Sequence, residues 1–264
     1  MQPERYLDRI GYKGHREPTA GVLRDLHRAH MLSVPFENLD IPAKRPIVLE
    51  ADRLLHKVVE LRRGGFCYEL NGAFAWLLRS LGFDVKMLSA RVARKDGSFS
   101  PEFDHMALEV RDAAGDCWLA DVGFGDCFLD PLSLSRLSDS PQLGWTYRLI
   151  TDELVYWLQR KSNESDWATQ YQFTRTPHQL EEFAPMCHFH QTSLESSFTQ
   201  RRLCSLARSD GRITLENWRF ITTKNAIKTE IGIAGEEDFR RLLLERFAVA
   251  LDWRITDSEL SSGL

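Results

Sequence analysis

The hydrophobic period of this chain changes once, near residue 83, and that change limits the folds open to it. Before it, apolar positions recur every three or four residues. Val22, Leu23, Leu26 and His30 form one stripe in GVLRDLHRAHML (21–32), and Leu70, Phe74, Leu77, Leu78 and Leu81 form another in CYELNGAFAWLLRSLG, closed by Gly82. Two further helices are expected near 3–10 and in ADRLLHKVVELRRGG, the latter ended by Gly64 and Gly65 as C-cap residues. After residue 83 the period is two: VKMLSARVA, HMALEVRD, CWLADV, TYRLIT, LVYWLQR and TQYQFT alternate or carry aromatic and β-branched residues between turn clusters. PHQLEEFAPM reads as a short helix with Pro177 near its start. Beyond it come a hairpin (RRLCSLARSDGRITL), two strands (ENWRFITT and AIKTEIGI) and an amphipathic helix, EEDFRRLLLERFAVAL, with Phe239, Leu242, Leu243 and Phe247 inward. The sequence therefore predicts a multi-domain α+β chain: helical over 1–83, an antiparallel sheet or small barrel over 84–190, and mixed α/β over 191–264.

Charge narrows the function. A net charge of −4 over 264 residues does not suit a nucleic-acid or polybasic membrane partner. No apolar run approaches the roughly 18 residues that span a bilayer. The opening MQPERYLDRIGYKG has charges where a signal peptide needs its apolar stretch, so a cytoplasmic location is expected. Five cysteines (67, 117, 127, 187 and 204) are an odd set without disulfide spacing, expected as free thiols.

Of these, Cys67 stands apart. It follows RRGGF at the first turn of the 67–81 helix, where unpaired N–H groups and the positive helix end favour a thiolate and could hold an oxyanion. Such cysteines can fall from about 8.5 into a range of roughly 3.5–7.5. The other reading is small apolar filler beneath a helix start. A nucleophile needs a base, and FDHMALEVRDAAGDCWLADV offers one. A turn at Asp112–Asp116, with opposed positions summing to 226, puts Met106 against Ala120 and Leu108 against Trp118 on one face. His105 then lies opposite Asp121 on the other face. Asp121 would fix the imidazole tautomer and leave the second nitrogen for a thiol. Spacing alone does not bring that face to Cys67, and a surface His–Asp hydrogen bond is the alternative.

RGGFCYELNGAF (63–74), DHMALEV (104–110) and DVGFG (121–125), with VPFENLDI (34–41) and SSFTQRRLCSL (196–206), resemble the arylamine N-acetyltransferase family over nearly the whole chain. The resemblance implies a helical N-terminal domain, a β-barrel middle domain and a C-terminal α/β lid around a cysteine-protease-like core. It implies a catalytic triad of Cys67, His105 and Asp121, and ping-pong acetyl transfer from acetyl-CoA, a substrate and not a resident cofactor, to arylamines, arylhydrazines or N-hydroxyarylamines. It also places Phe124, with Phe36 and Tyr68, around the amine. Gly123 and Gly125 of GFGD would wrap the acetyl-pantetheine end, and Arg63 would support the active-site loop, with Glu37 as a partner. For Phe36 the ordinary alternative is aromatic core.

Cys187, His188 and His190 in CHFH hint at a metal but lack the separated second pair a structural zinc site needs, so no metal is expected. Cys117 and Cys204 read as packing residues, and nothing orients Cys127 as a nucleophile. Two other functions use the same residues differently: an amide synthase or thiol hydrolase/transglutaminase-type acyl transferase with the same triad, and a non-catalytic CoA- or small-molecule-binding protein.

Overall fold

Thr19 Oγ1 accepts the Val22 N–H and starts the helix that the first apolar stripe predicts. A computed structural model of the chain describes residues 1–162, 165–224 and 227–252. Four helices precede the change of period: α1 (Pro3–Arg9), α2 (Ala20–Ser33), α3 (Ala51–Leu55) and α4 (Cys67–Ser80). A two-residue strand, β1 (Phe36–Glu37), lies between α2 and α3. α4 is buried on nearly every side, which suits its position between the other helices and the sheet that follows. Gly82, at φ 89°, turns the chain out of it.

Gly64 and Gly65 are not C-cap residues. α3 continues as one π turn over 56–60, and the left-handed residue beyond it is Arg62, at φ 52°. The two glycines answer a need for space: a Cβ on Gly64 would sit 1.9 Å from the Pro35 carbonyl oxygen, and one on Gly65 would sit 2.7 Å from the Glu69 side chain.

From residue 84 the strands are β2 (Asp84–Val92), β3 (His105–Arg111), β4 (Cys117–Ala120), β5 (Leu132–Ser133), β6 (Ser140–Gln142), β7 (Trp145–Asp152), β8 (Val155–Ser162) and β9 (Ala168–His178). They form a nearly closed antiparallel barrel in the order β5-β4-β3-β2-β9-β8-β7-β6. Leu88, Ala90, Ala107, Leu119, Leu158 and Tyr171 fill its interior, while Met87, Met106, Leu108 and Val110 face the helices. Both faces of β3 are thus covered.

The β3–β4 register differs from the expected one by two residues. Leu108 pairs with Ala120 and Val110 with Trp118, so opposed positions sum to 228. The loop closes at Asp112 N–H to Asp116 O, and Gly115, at φ 87°, supplies its left-handed residue. A shift of two keeps every side chain on its expected face. His105 and Asp121 are diagonal neighbours instead of direct opposites. Pro177 also moves: it lies in β9 beside Leu88, and the following helix begins as a 3-10 turn, Leu180–Phe183, leading into α5 (Ala184–Thr192) with Pro185 in its first turn.

The last segment holds α6 (Ser197–Gln200), β10 (Leu203–Arg208), β11 (Gly211–Glu216), β12 (Arg219–Lys224), β13 (Ile227–Gly232) and α7 (Glu236–Phe247). Its sheet runs β1-β10-β11-β12-β13, so its first strand comes from the helical segment, with Phe36 beside Ser205 and Glu37 beside Cys204. One face packs on Phe239, Leu243 and Phe247 of α7. The other carries Ser205, Arg212, Thr214 and Thr223 into a cavity shared with the barrel. Ala226, expected at the start of β13, and residues 253–264 of the expected C-terminal segment lie outside the described residues. No described helix is long and apolar enough to cross a membrane.

Candidate active site

Cys67 is the first residue of α4 because Glu69, two positions further on, caps the helix: its Oε2 accepts the Phe66 N–H at 3.1 Å. The segment before it is pressed against Pro35–Glu37, where Gly65 O accepts the Glu37 N–H at 2.8 Å. Buried charges hold this corner. Arg63 meets Glu37 at 2.7 Å and Asp40 at 3.2 Å, and Lys57 meets Asp40 at 2.6 Å and Glu69 at 2.7 Å. The Arg63–Glu37 contact expected from sequence is therefore present.

His105 opens β3, and its Nε2 lies 2.8 Å from Asp121 Oδ2. Asp121 is fully buried. It also accepts from Tyr171 Oη at 3.0 Å, Asn71 Nδ2 at 2.9 Å and the Gly123 N–H at 2.9 Å. Burial by itself would raise its pKa, but the imidazole and these donors hold it below the usual carboxylate range. Behind it, His27 Nε2 accepts the Asp121 N–H at 3.1 Å while Nδ1 donates to Leu129 O at 2.7 Å. Burial keeps that imidazole neutral.

Three links bring Cys67 to this pair. Asn71, one helical turn along α4, donates to Met106 O at 2.6 Å and to Asp121, and its Oδ1 accepts the Val122 N–H at 3.0 Å. Gly123 packs so tightly on the helix start that a Cβ there would lie 2.8 Å from Cys67 Cα. The Met106 amide, next in sequence to His105, lies near enough to the Cys67 thiol to favour its ionised form. Cys67 and His105 both line one cavity of about 1150 Å³. Burial pushes the Cys67 thiol well up, nearby Asp104 and Asp121 push the same way, and the Met106 N–H opposes them. The helix start alone does not produce a thiolate here.

Phe36, Gly123, Phe124 and Gly125 all border this cavity, with Phe124 edge-on to His105 at 5.0 Å. Tyr68 does not. Its ring is buried, and its hydroxyl donates to Phe103 O at 2.7 Å and Asp104 O at 3.2 Å, bracing the approach to His105. Cys117 and Cys127 pack in the barrel interior and Cys204 under α7. Sequence reasoning missed Asn71, Tyr171 and His27. Asn71 carried a usable signal, four residues after Cys67 on one helix face; Tyr171 and His27 are polar partners that only folding delivers.

The sequence pattern of the N-acetyltransferase family matches residues 19–256. Human arylamine N-acetyltransferase 1 is 30% identical over 281 residues, covering 97% of this chain and 96% of its own. Proansamycin X synthase of Amycolatopsis mediterranei is 30% identical, covering 91% and 94%. The structure of Mycobacterium marinum arylamine N-acetyltransferase in complex with CoA superposes with a TM-score of 0.87 at 30% identity, over 94% of this chain and 93% of that one. A match across nearly the whole chain makes this protein an acyltransferase of the N-acetyltransferase class. Within that class it belongs to the arylamine N-acetyltransferase family.

Proposed function

We propose that Cys67, His105 and Asp121 form a catalytic triad that moves an acetyl group from acetyl-CoA to the nitrogen of an arylamine, arylhydrazine or N-hydroxyarylamine in two half-reactions. The observation that carries this reading is the join through Asn71: one turn beyond Cys67 on α4, it holds both the Met106 carbonyl and Asp121, so that Cys67 and the Asp121-bonded His105 line one cavity. With Nε2 committed to Asp121, the nitrogen of His105 left for chemistry is Nδ1. A buried, neutral thiol becomes nucleophilic by giving its proton to that nitrogen, and Asp121 stabilises the resulting imidazolium. The thiolate attacks the acetyl carbonyl, whose oxyanion is met by N–H groups of the first turn of α4. CoA leaves as its thiol, reprotonated by His105. The amine then attacks the acetyl-cysteine, His105 takes its proton, and the amide departs as Cys67 is restored.

Phe124 and Phe36 suit the arene, and Tyr68 serves as a brace behind the wall. Gly123 and Gly125 leave room for the acetyl-pantetheine end. Arg94, Arg201, Arg212 and Lys228 line the same cavity and are the candidates for the donor's phosphates. Free cysteines fit a reducing compartment, the cytoplasm. The similarity to a synthase favours one second reading, an amide synthase using the same triad with another acyl donor.

The test is intact-protein mass after mixing with acetyl-CoA and no acceptor. One acetyl group is expected on the wild type, absent from Cys67→Ala and discharged by an aromatic amine. No gain on the wild type would move the assignment to the synthase reading. Acetylation of Cys67→Ala to the same extent would overturn the triad.

A further inference from the structure

The cavity holds a second imidazole–carboxylate pair that the triad does not use. His190 of α5 is 6% exposed; its Nε2 bonds the main-chain carbonyl of Asp104, the residue before His105, at 3.4 Å and lies 3.2 Å from the Oδ1 of that residue. Its Nδ1 lies 3.0 Å from Oγ of Ser196, the N-cap of α6. Rings of Phe66, Tyr68 and Phe198 surround the imidazole. Both His190 and Asp104 line the cavity beside Cys67. A serine hydroxyl donates as readily as it accepts, so Ser196 satisfies Nδ1 whether or not that nitrogen is protonated. The imidazole is therefore held in place from both nitrogens.

Resting on the assignment of Cys67 as nucleophile, we propose that His190 is a positioning residue for it: by binding Asp104, His190 draws that carboxylate's charge away from the Cys67 sulfur and so favours the thiolate. Asp104 borders the same cavity as Cys67 and is one of the groups that hold its thiol up, whereas its own carboxyl, despite burial, is kept low with His190 beside it at 3.2 Å. Without His190, a mostly buried carboxylate would border the nucleophile's cavity with that imidazole gone from its side. A like charge so placed opposes ionisation of the thiol. Three other acids bear on this corner. Cys187 of α5 is itself pushed up to about 12 by burial and stays a neutral thiol. Asp121 is matched by His105. Glu195, bordering the same cavity, is exposed to solvent and screened.

The experiment is iodoacetamide alkylation of Cys67 across pH on the full chain, read by mass spectrometry of the Cys67 peptide, for wild type, His190→Leu, Asp104→Asn and the double variant. His190→Leu is expected to raise the pH of half-maximal rate by about one unit. Adding Asp104→Asn should return it to the value of Asp104→Asn alone, which lies at or below wild type. An unmoved midpoint in His190→Leu overturns the proposal. So does a shift that Asp104→Asn fails to reverse, because lost packing would not respond to the carboxylate. If the leucine variant does not fold, His190→Gln takes its place, with the same two criteria and a smaller expected shift. Failure of the triad itself reads differently, as acetylation by acetyl-CoA that persists in Cys67→Ala.

Discussion

Asp121 receives four hydrogen bonds while fully buried, from His105, Tyr171, Asn71 and the Gly123 N–H. Such a carboxylate orients an imidazole and stabilises its charged form. Asp121→Asn is expected to lower kcat by about 10³–10⁴-fold with the fold retained, read by steady-state assay beside circular dichroism. The same group links stability to pH. Its folded pKa lies below the ordinary 3.8, so its contribution is complete above that value and is lost as pH falls through the folded value. Asp121→Asn should therefore flatten the loss of stability below about pH 4, measured by urea unfolding at a series of pH values. At this scale the sequence was informative about identities and less so about partners. Cys67 stood out at a helix start and His105 and Asp121 in a hairpin, with only the family resemblance joining them as a triad, whereas Tyr171, fifty residues beyond Asp121, left no mark in any local pattern.

Element starts and ends follow from the same balance of local and distant demands. α4 begins at Cys67 because Glu69 caps it, and Glu69 stays in place because Lys57 holds its other oxygen at 2.7 Å. Burial pushes the Glu69 carboxyl up to about 7 against the pull of Lys57. Removing that lysine leaves Glu37, Asp40 and Glu69 with Arg63 and, at Asp40, the exposed Arg45. Lys57→Met is expected to cost about 3–5 kcal/mol, a fall in Tm of about 10 °C by calorimetry, and to slow Cys67 alkylation as the cap loosens. The hairpin shows what local reading can and cannot decide. Alternation assigned every residue of β3 and β4 to its correct face, because a one-residue slip would expose the apolar set. A slip of two leaves that set where it was, and there the left-handed conformation of Gly115 decides. Gly64 failed as a cap for a related reason: the backbone against it comes from Pro35, beyond any local window, while Gly65 leaves room for the Glu69 side chain.

In the whole molecule, the helical segment lends strand β1 to the C-terminal sheet, and Asn38 fastens the join. Fully buried, it accepts the Leu203 N–H at 2.7 Å and donates to Phe198 O at 2.9 Å and Arg201 O at 2.7 Å. Asn38→Ala leaves these three backbone groups unmet and is expected to cost about 2–3 kcal/mol by denaturant titration. Because Phe36 and the sheet face with Ser205 and Thr214 line the cavity, the same change should raise KM for donor and acceptor more than it lowers kcat. Sequence by itself determined the class of each segment, the faces of the strands and the three residues proposed for chemistry, since these depend on period, caps and residue type within a few positions. Only the tertiary structure decided that β3 lies against α4, that Met106 meets Cys67, and that His190 and Asp104 share a wall of the cavity. Those contacts join residues scores of positions apart, and their free energy comes from burial and hydrogen bonds that exist only when helices, barrel and C-terminal sheet close on one another.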